Sequence, residues 1–349
     1  MLELTGNNAT YGTSITNGIK LAVQQLNDTG GLLGKKIELV VADNKSEPAE
    51  AANAMSKLVN QDKAPVVMGL FASSSAIAAS NVSEAAKVPF LAVGATNPKV
   101  TLDEKTGKVK PNTFRVCFID PFQGTVGANF ILNELKLQKA AVYIDNSSDY
   151  AKGLAEFFKK AYTEKGGTVV IEESYLQKDS DFKAVLTKIA AAKPEVIYVP
   201  GYYEEVGKIC KQARELGITV PIIGGDGWGR PKLKAGASSL NNTYFTNHYS
   251  PDSTNEASKA FVNTYAKTYK QKPDAPAVLG YDGAMLLADS IKRAGVYESA
   301  KVAEALAATK DFQAVTGKTS LDASHDAVKS AVIVGFKDGK QVYRATVNP

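Results

Sequence analysis

Cysteine, histidine and tryptophan are all scarce in this chain of 349 residues, which has two cysteines, two histidines and one tryptophan. Cys117 and Cys210 form no CxxC pair, and each lies in a run typical of a small buried hydrophobe. A disulfide between them is neither supported nor excluded by their positions. His248 and His325 are far apart, which argues against a histidine metal site and against a Ser-His-Asp triad.

Long apolar runs and clusters of like charge are also missing. No apolar run approaches the ~20 residues that span a bilayer. The net charge of +5 comes from 41 basic and 36 acidic residues that are interspersed. Without a basic stripe, binding to nucleic acid is not expected. The length and the hydrophobic content of 44% suit a globular protein with two cores.

The first residues, MLELTGNNATYG, have the features of neither a signal peptide nor a lipoprotein signal. Residues 1–4 resemble the end of a strand, and we expect the earlier half of that strand to be missing from the sequence.

Strand and helix patterns alternate along most of the chain. Apolar runs predict strands at 35–43, 64–71, 88–94 and 114–119, and again at 140–145, 167–175, 195–201 and 220–226. Amphipathic segments between them predict helices, the first ended by Gly30-Gly31 and the second begun by Ser46 and Pro48. Two such series predict an α/β protein with two doubly wound, Rossmann-like domains. The tail differs, with helices predicted at 255–271, 276–294 and 299–308, then a hairpin at 331–344 that turns at Asp338-Gly339.

Polar residues follow the predicted strands, and in doubly wound sheets ligands bind beyond the carboxyl ends of strands. In FASSS, Ser73 and its neighbours stand where a helix begins, so hydroxyls and free N–H groups there could hold a carboxylate. The alternative is that one serine simply caps the helix. Thr96 and Gly94 in VGATNP offer similar chemistry, with an ordinary turn before Pro98 as the alternative.

Asp226 in GGDGWG could pair with an ammonium group, and the alternative is an Asx-type turn. The spacing does not fit a GxGxxG loop, so no dinucleotide cofactor is expected. Tyr202 and Tyr203 could simply pack, and Trp228 could wall a pocket or cover an edge. Together, a carboxylate site in one domain and an acid in the other would suit a zwitterion.

The chain resembles the branched-chain amino-acid binding proteins of ABC transporters, which are type I solute-binding proteins of the leucine/isoleucine/valine-binding family. The resemblance covers nearly the whole chain. It is carried by the segments LTGNNATYG (4–12), NDTGGLLGKKIELVVADNKSEP (27–48), GLFASSSAIAAS (69–80), FLAVGATNP (90–98), FRVCFIDPFQG (114–124), YVPGYYEEVGKICKQARELG (198–217) and IIGGDGWG (222–229).

The resemblance implies a ligand site at Ser73, Gly94, Ala95, Thr96, Tyr150, Tyr202, Asp226, Tyr11, Phe71, Ala72 and Trp228. Ser73 and Thr96 would bind the carboxylate, and Asp226 would replace the family's more common glutamate beside the ammonium. Phe71 and Trp228 are bulkier than the family's usual residues, so they would reshape the side-chain pocket. Lys45 and Ala72 stand where the family has a disulfide near the site.

The resemblance also implies a clamp of two lobes with the ligand in the cleft between them. We expect lobes of 1–119 plus 248–326 and 120–247 plus 327–349, joined by three crossings near 119, 247 and 327. The implied protein is an extracytoplasmic monomer, periplasmic or lipid-anchored, that delivers an amino acid to a membrane permease and needs no metal or cofactor.

Three alternatives stay open. The ligand could be another carboxylate, an aromatic amino acid or an amide. The same clamp could serve as a sensing ectodomain, which would need a fused membrane or kinase segment. An enzyme would need a nucleophile with a base, and no such pairing is predicted.

Overall fold

The structure is a computed structural model that describes residues 1–229, 236–252 and 256–349. The helices of this part are α1 Ala9–Asp28, α2 Pro48–Asn60, α3 Ser73–Ala86, α4 Asp120–Asn129, α5 Asp149–Glu164, α6 Lys183–Ala191, α7 Tyr203–Glu215, α8 Glu256–Tyr269, α9 Ala275–Ala294 and α10 Ser299–Ala307. The strands are β1 Val67–Gly69, β2 Phe90–Ala92, β3 Thr113–Arg115, β4 Lys139–Asp145, β5 Thr168–Tyr175, β6 Val196–Tyr198, β7 Ile222–Gly224, β8 Thr243–Asn247, β9 Phe312–Ala314, β10 Gly317–Leu321, β11 Ala327–Val328, β12 Ala331–Lys337 and β13 Lys340–Val347.

The chain divides into two compact units, each built from separate stretches of sequence. Unit 1 comprises Met1–Ile119 and Pro251–Lys329, and unit 2 comprises Asp120–Ser250 and Ser330–Pro349. None of the helices in the described ranges is both long enough and apolar enough to cross a membrane.

Unit 1 has a parallel sheet in the order β1-β2-β3 and a small antiparallel sheet in the order β11-β10-β9. Helix α9 shows why its helices start and stop where they do. The Asp274 side chain accepts a hydrogen bond of 3.1 Å from Ala277 N, Pro276 stands in the first turn, and Gly295 ends the helix with φ of 70°. An N-cap of this kind contributes about 1 kcal/mol.

The strand predicted at 35–43 is wrong, because residues 36–42 form no ladder. Its two ends form single bridges, Lys35 with Leu32 and Asp43 with Leu2, where Leu2 N donates to Ala42 O and Asn44 N donates to Leu2 O. Leu39, Val40 and Val41 are exposed, and they line an apolar groove of about 660 Å³ that also contacts residues 63–68. A β-strand needs an adjacent strand for its backbone hydrogen bonds, and residues 39–41 face the apolar groove instead of an adjacent strand.

Unit 2 has one sheet of seven strands in the order β13-β12-β8-β7-β6-β4-β5. The pairs from β5 to β8 are parallel, whereas β12 and β13 are antiparallel additions. The predicted hairpin is confirmed, since Lys337 pairs with Lys340 around Asp338 and Gly339, both with positive φ. Strand β8 was not predicted, nor were β9 to β11.

Candidate functional site

The candidate residues of unit 1 follow the carboxyl ends of β1 and β2, except for Tyr11, which lies in helix α1. The Phe71 ring stacks on Tyr11 with a centroid distance of 4.2 Å and an interplanar angle of 11°. A Cβ on Gly94 would lie only 2.2 Å from the Phe71 ring, so glycine makes room for that ring. The FASSS and VGATNP segments are joined where Asn97 N donates to Ser73 Oγ at 3.3 Å.

The serines of FASSS do not cap helix α3. Ala72 is the N-cap residue, and no side chain provides a cap hydrogen bond. Ser73 Oγ serves Asn97, and Ser75 Oγ accepts a bond of 3.1 Å from Asn44 Nδ2. The capping alternative is therefore wrong. Ser46 likewise does not cap α2, where Glu47 is the N-cap residue, because its hydroxyl donates to Thr5 O instead.

A carboxylate of the protein itself lies just before α3. Glu3 is fully buried, and its Oε1 accepts bonds of 2.9 Å from both Phe71 N and Ala72 N. Burial raises the pKa of Glu3, and the two amides oppose that shift. Two backbone donors next to the expected carboxylate site are thus already occupied by a side chain that the sequence did not point to.

Thr96 is the polar side chain of this region that lacks a partner. It is fully buried, and its Oγ1 has no hydrogen bond to any described residue. A buried hydroxyl without a partner is unfavourable by about 1–3 kcal/mol. The position is therefore suited to a ligand acceptor such as a carboxylate oxygen.

The loop of Thr96 is fixed from behind by Arg115, a buried residue that the sequence did not single out. Its guanidinium donates to Ala95 O at 2.7 Å and to Asn97 O at 3.0 Å, which are the carbonyls on either side of Thr96. Its Nε lies 2.6 Å from Asp326 Oδ1. The three contacts hold the loop at the end of β2 in one conformation.

The candidate residues of unit 2 follow three neighbouring strands, with Tyr150 after β4, Tyr202 after β6 and Asp226 after β7. The Tyr150 and Tyr202 rings stack with a centroid distance of 5.1 Å. The Tyr150 hydroxyl accepts a bond of 3.1 Å from Gly227 N. Burial, and then the nearby Asp226 and Asp120 charges, raise the pKa of Tyr150 well above its ordinary value. The tyrosine therefore stays neutral.

Asp226 is 1% exposed and does not form the Asx-type turn that was the alternative. Its Oδ1 accepts a bond of 3.0 Å from Gln123 Nε2, and its Oδ2 lies 3.0 Å from His248 Nε2. The Gln123 side chain also accepts from Asp226 N, at 3.2 Å, and from Thr246 Oγ1, at 2.8 Å. Neither Gln123 nor His248 was among the predicted residues.

Trp228 is fully buried within unit 2 and covers strand β7. Its indole N–H donates to Val199 O at 3.0 Å. A Cβ on Gly224 would lie 2.1 Å from the indole nitrogen, so the glycine in β7 is needed for this packing. Both cysteines are free and buried. Among the described residues, no cluster of His, Cys, Asp and Glu could hold a metal.

Comparisons with known proteins agree on one family. A family model described as periplasmic binding protein matches residues 1–341. The Leu/Ile/Val-binding protein BraC3 of Rhizobium johnstonii is 34% identical over 93% of this chain and 86% of its own length. The structure of leucine binding protein LivK from Thermotoga maritima has a TM-score of 0.94 and 36% identity, covering 100% of this chain and 97% of that one. The branched-chain amino acid transporter substrate binding protein LivJ from Streptococcus pneumoniae, in complex with isoleucine, has a TM-score of 0.92 and 39% identity, covering 99% and 97%.

Proposed function

This chain belongs to the periplasmic binding protein family, and on that premise we propose that it captures a branched-chain or similar amino acid for an ABC transporter. The ligand's carboxylate takes its contacts from Ser73 and Thr96 of unit 1, and its ammonium is received by Asp226 of unit 2. The two-domain α/β fold of the LivK and LivJ relatives, one of them with isoleucine bound, supports this function.

The observation that carries the proposal is the buried hydroxyl of Thr96, which lacks a partner among the described residues. A ligand carboxylate would supply the missing acceptor. We expect Tyr11 and Phe71, whose rings stack, and the backbone of Gly94 and Ala95 to complete this position from unit 1, and the stacked rings of Tyr150 and Tyr202 to flank the ammonium beside Asp226 in unit 2.

We further propose that the protein acts as a monomer outside the cytoplasm and delivers its ligand to a membrane permease. Ligand contacts from both units would favour one arrangement of the clamp, by no more than the differential affinity of the ligand for that arrangement. The chemistry of the site is binding alone, so the ligand is expected to be returned unchanged.

The test is isothermal titration calorimetry with leucine, isoleucine and valine, on the wild type and on Thr96→Val. Valine keeps the shape of threonine and removes only the hydroxyl. Because this hydroxyl has no partner to lose among the described residues, the ligand-free variant should be at least as stable as the wild type. Its affinity should fall about tenfold, as expected for a lost hydrogen bond to a charged group.

Thr163→Val is the matched control, because the Thr163 hydroxyl bonds within its own helix, to Lys159 O at 2.8 Å and Lys160 O at 3.2 Å. It should leave affinity unchanged. If the wild type binds none of the twenty amino acids, the proposed function is wrong. If it binds them and Thr96→Val binds equally well, the carboxylate lies elsewhere.

A further inference from the structure

His248 contacts Asp226, the acid that the proposed function assigns to the ligand's ammonium group. It lies just after β8, is 2% exposed, and has its Nε2 at 3.0 Å from Asp226 Oδ2. An ionised carboxylate has only acceptors, so the proton of this bond is on His248 Nε2. His248 therefore donates to Asp226.

The other oxygen of Asp226, Oδ1, also accepts a hydrogen bond of 3.0 Å. Gln123 Nε2 donates to Asp226 Oδ1 at 3.0 Å and also to Asp120 Oδ1 at 2.8 Å. Gln123 is itself fixed, because its Oε1 accepts from Asp226 N and from Thr246 Oγ1. Within the part of the chain that the structure describes, the Asp226 carboxylate thus has one donor on each oxygen and little freedom to rotate.

Hydrogen bonds also fix the backbone of His248. His248 N donates to Asn247 Oδ1 at 2.9 Å, and Asn247 Nδ2 donates to Tyr249 O at 3.1 Å. Asn247 is paired with Val332 of β12, so the segment is attached to the sheet. The backbone that carries the imidazole is thereby fixed.

We propose that His248 is a positioning residue that makes the site selective for ligands with an α-ammonium group. It fixes the Asp226 carboxylate in the orientation that receives the ammonium, and each carboxylate oxygen keeps a second lone pair for that contact. Without His248 the carboxylate can turn away, and a ligand without an ammonium would lose nothing. This inference rests on the proposed function, and it adds the residue that determines the preference for ligands with an α-ammonium group over ligands without one.

The test compares leucine with 4-methylpentanoate, which is leucine without its ammonium group. Calorimetry is performed on the wild type, on His248→Phe, which keeps a ring but removes the donor, and on His248→Gln, whose amide can still donate. We expect His248→Phe to bind leucine about tenfold more weakly. Its affinity for 4-methylpentanoate should change less than twofold, and His248→Gln should restore most of the preference for leucine.

A merely structural role for His248 would weaken both ligands by the same factor, and that result would overturn the inference. Equal leucine affinities for His248→Phe and the wild type would overturn it as well. If the wild type binds no amino acid, the proposed function fails and the inference fails with it. That outcome is read from the wild type alone, so the two failures are distinguishable.

Discussion

Replacing Arg115 by methionine is expected to destabilise unit 1 far more than replacing Lys99, although both residues form ion pairs of 2.6 Å. Arg115 is 0% exposed and its partner Asp326 is 7% exposed, whereas Lys99 and Glu104 are 43% and 65% exposed. The two ion pairs therefore have the same N–O distance and differ in how deeply their side chains are buried.

The loss of stability in each variant depends on which groups of the protein would be left without a partner. In Arg115→Met, Asp326 loses its buried cation, and Ala95 O and Asn97 O lose their guanidinium donors. Breaking a buried pair from one side destabilises by about 3–5 kcal/mol. An exposed pair such as Lys99–Glu104 contributes less than about 1 kcal/mol.

The assay is urea unfolding followed by circular dichroism, with a thermal scan alongside. For a unit of this size, about 2–4 °C per kcal/mol predicts a drop of ~10 °C for Arg115→Met and little change for Lys99→Met. Because the carbonyls on either side of Thr96 lose their anchor, leucine affinity should fall as well. Equal losses of stability in the two variants, or a loss below 1 kcal/mol for Arg115→Met, would refute the reasoning.

Three further predictions concern buried or unpaired groups. Burial, helped by the Asp145 charge, raises the pKa of Glu205 above its ordinary value of 4.5, so the charged form of Glu205 destabilises the fold as the pH rises above 4.5. Glu205→Gln should therefore raise the melting temperature at pH 8 and leave it unchanged at pH 4. An equal gain at both pH values would contradict this prediction. Burial raises the pKa of Cys210 to about 12, and Cys117 is also buried, so iodoacetamide at pH 8 should label neither cysteine of the native protein and both in guanidinium. Label on the native protein would contradict this prediction. Five β-branched residues added before Met1 should enter the apolar groove and raise the melting temperature by several degrees over a Gly-Ser extension of equal length, and equal temperatures would show that the groove accepts no strand.

Much of the fold could be predicted from the sequence because local patterns decide it. The apolar run at 140–145 lies in strand β4, and residues 204–215 of the amphipathic segment that follows the strand predicted at 195–201 lie on helix α7, so hydrophobic spacing and the final element agree. The Asp-Gly pair at 338–339 specified its hairpin through positive φ values.

The errors arise where the outcome depends on distant residues. The run at 35–43 has the composition of a strand, but composition does not show whether a neighbour is present for its ladder. Arg115 and Gln123 lie in FRVCFIDPFQG, a segment that carries the family resemblance, and His248 lies in a mixed segment, but no local pattern marks any of the three as part of a site. Gln123 meets Asp226 across 103 positions of sequence, and no local pattern reports such a contact.

The division of each unit between separate stretches of chain has a consequence for how the protein folds. Helix α1 cannot find its partner α9 early, because Tyr281 OH bonds to Gln25 Oε1 across 256 residues, and a Cβ on Gly18 would lie 1.9 Å from Ala277 O. Unit 2 in turn receives its strands β12 and β13 from the last residues. Neither unit can complete its native structure until nearly all of the polypeptide has been synthesised. Contacts this distant in sequence slow folding, so a ribosome carrying most of this chain would still hold incomplete cores, and a chaperone or export machinery would meet them in that state.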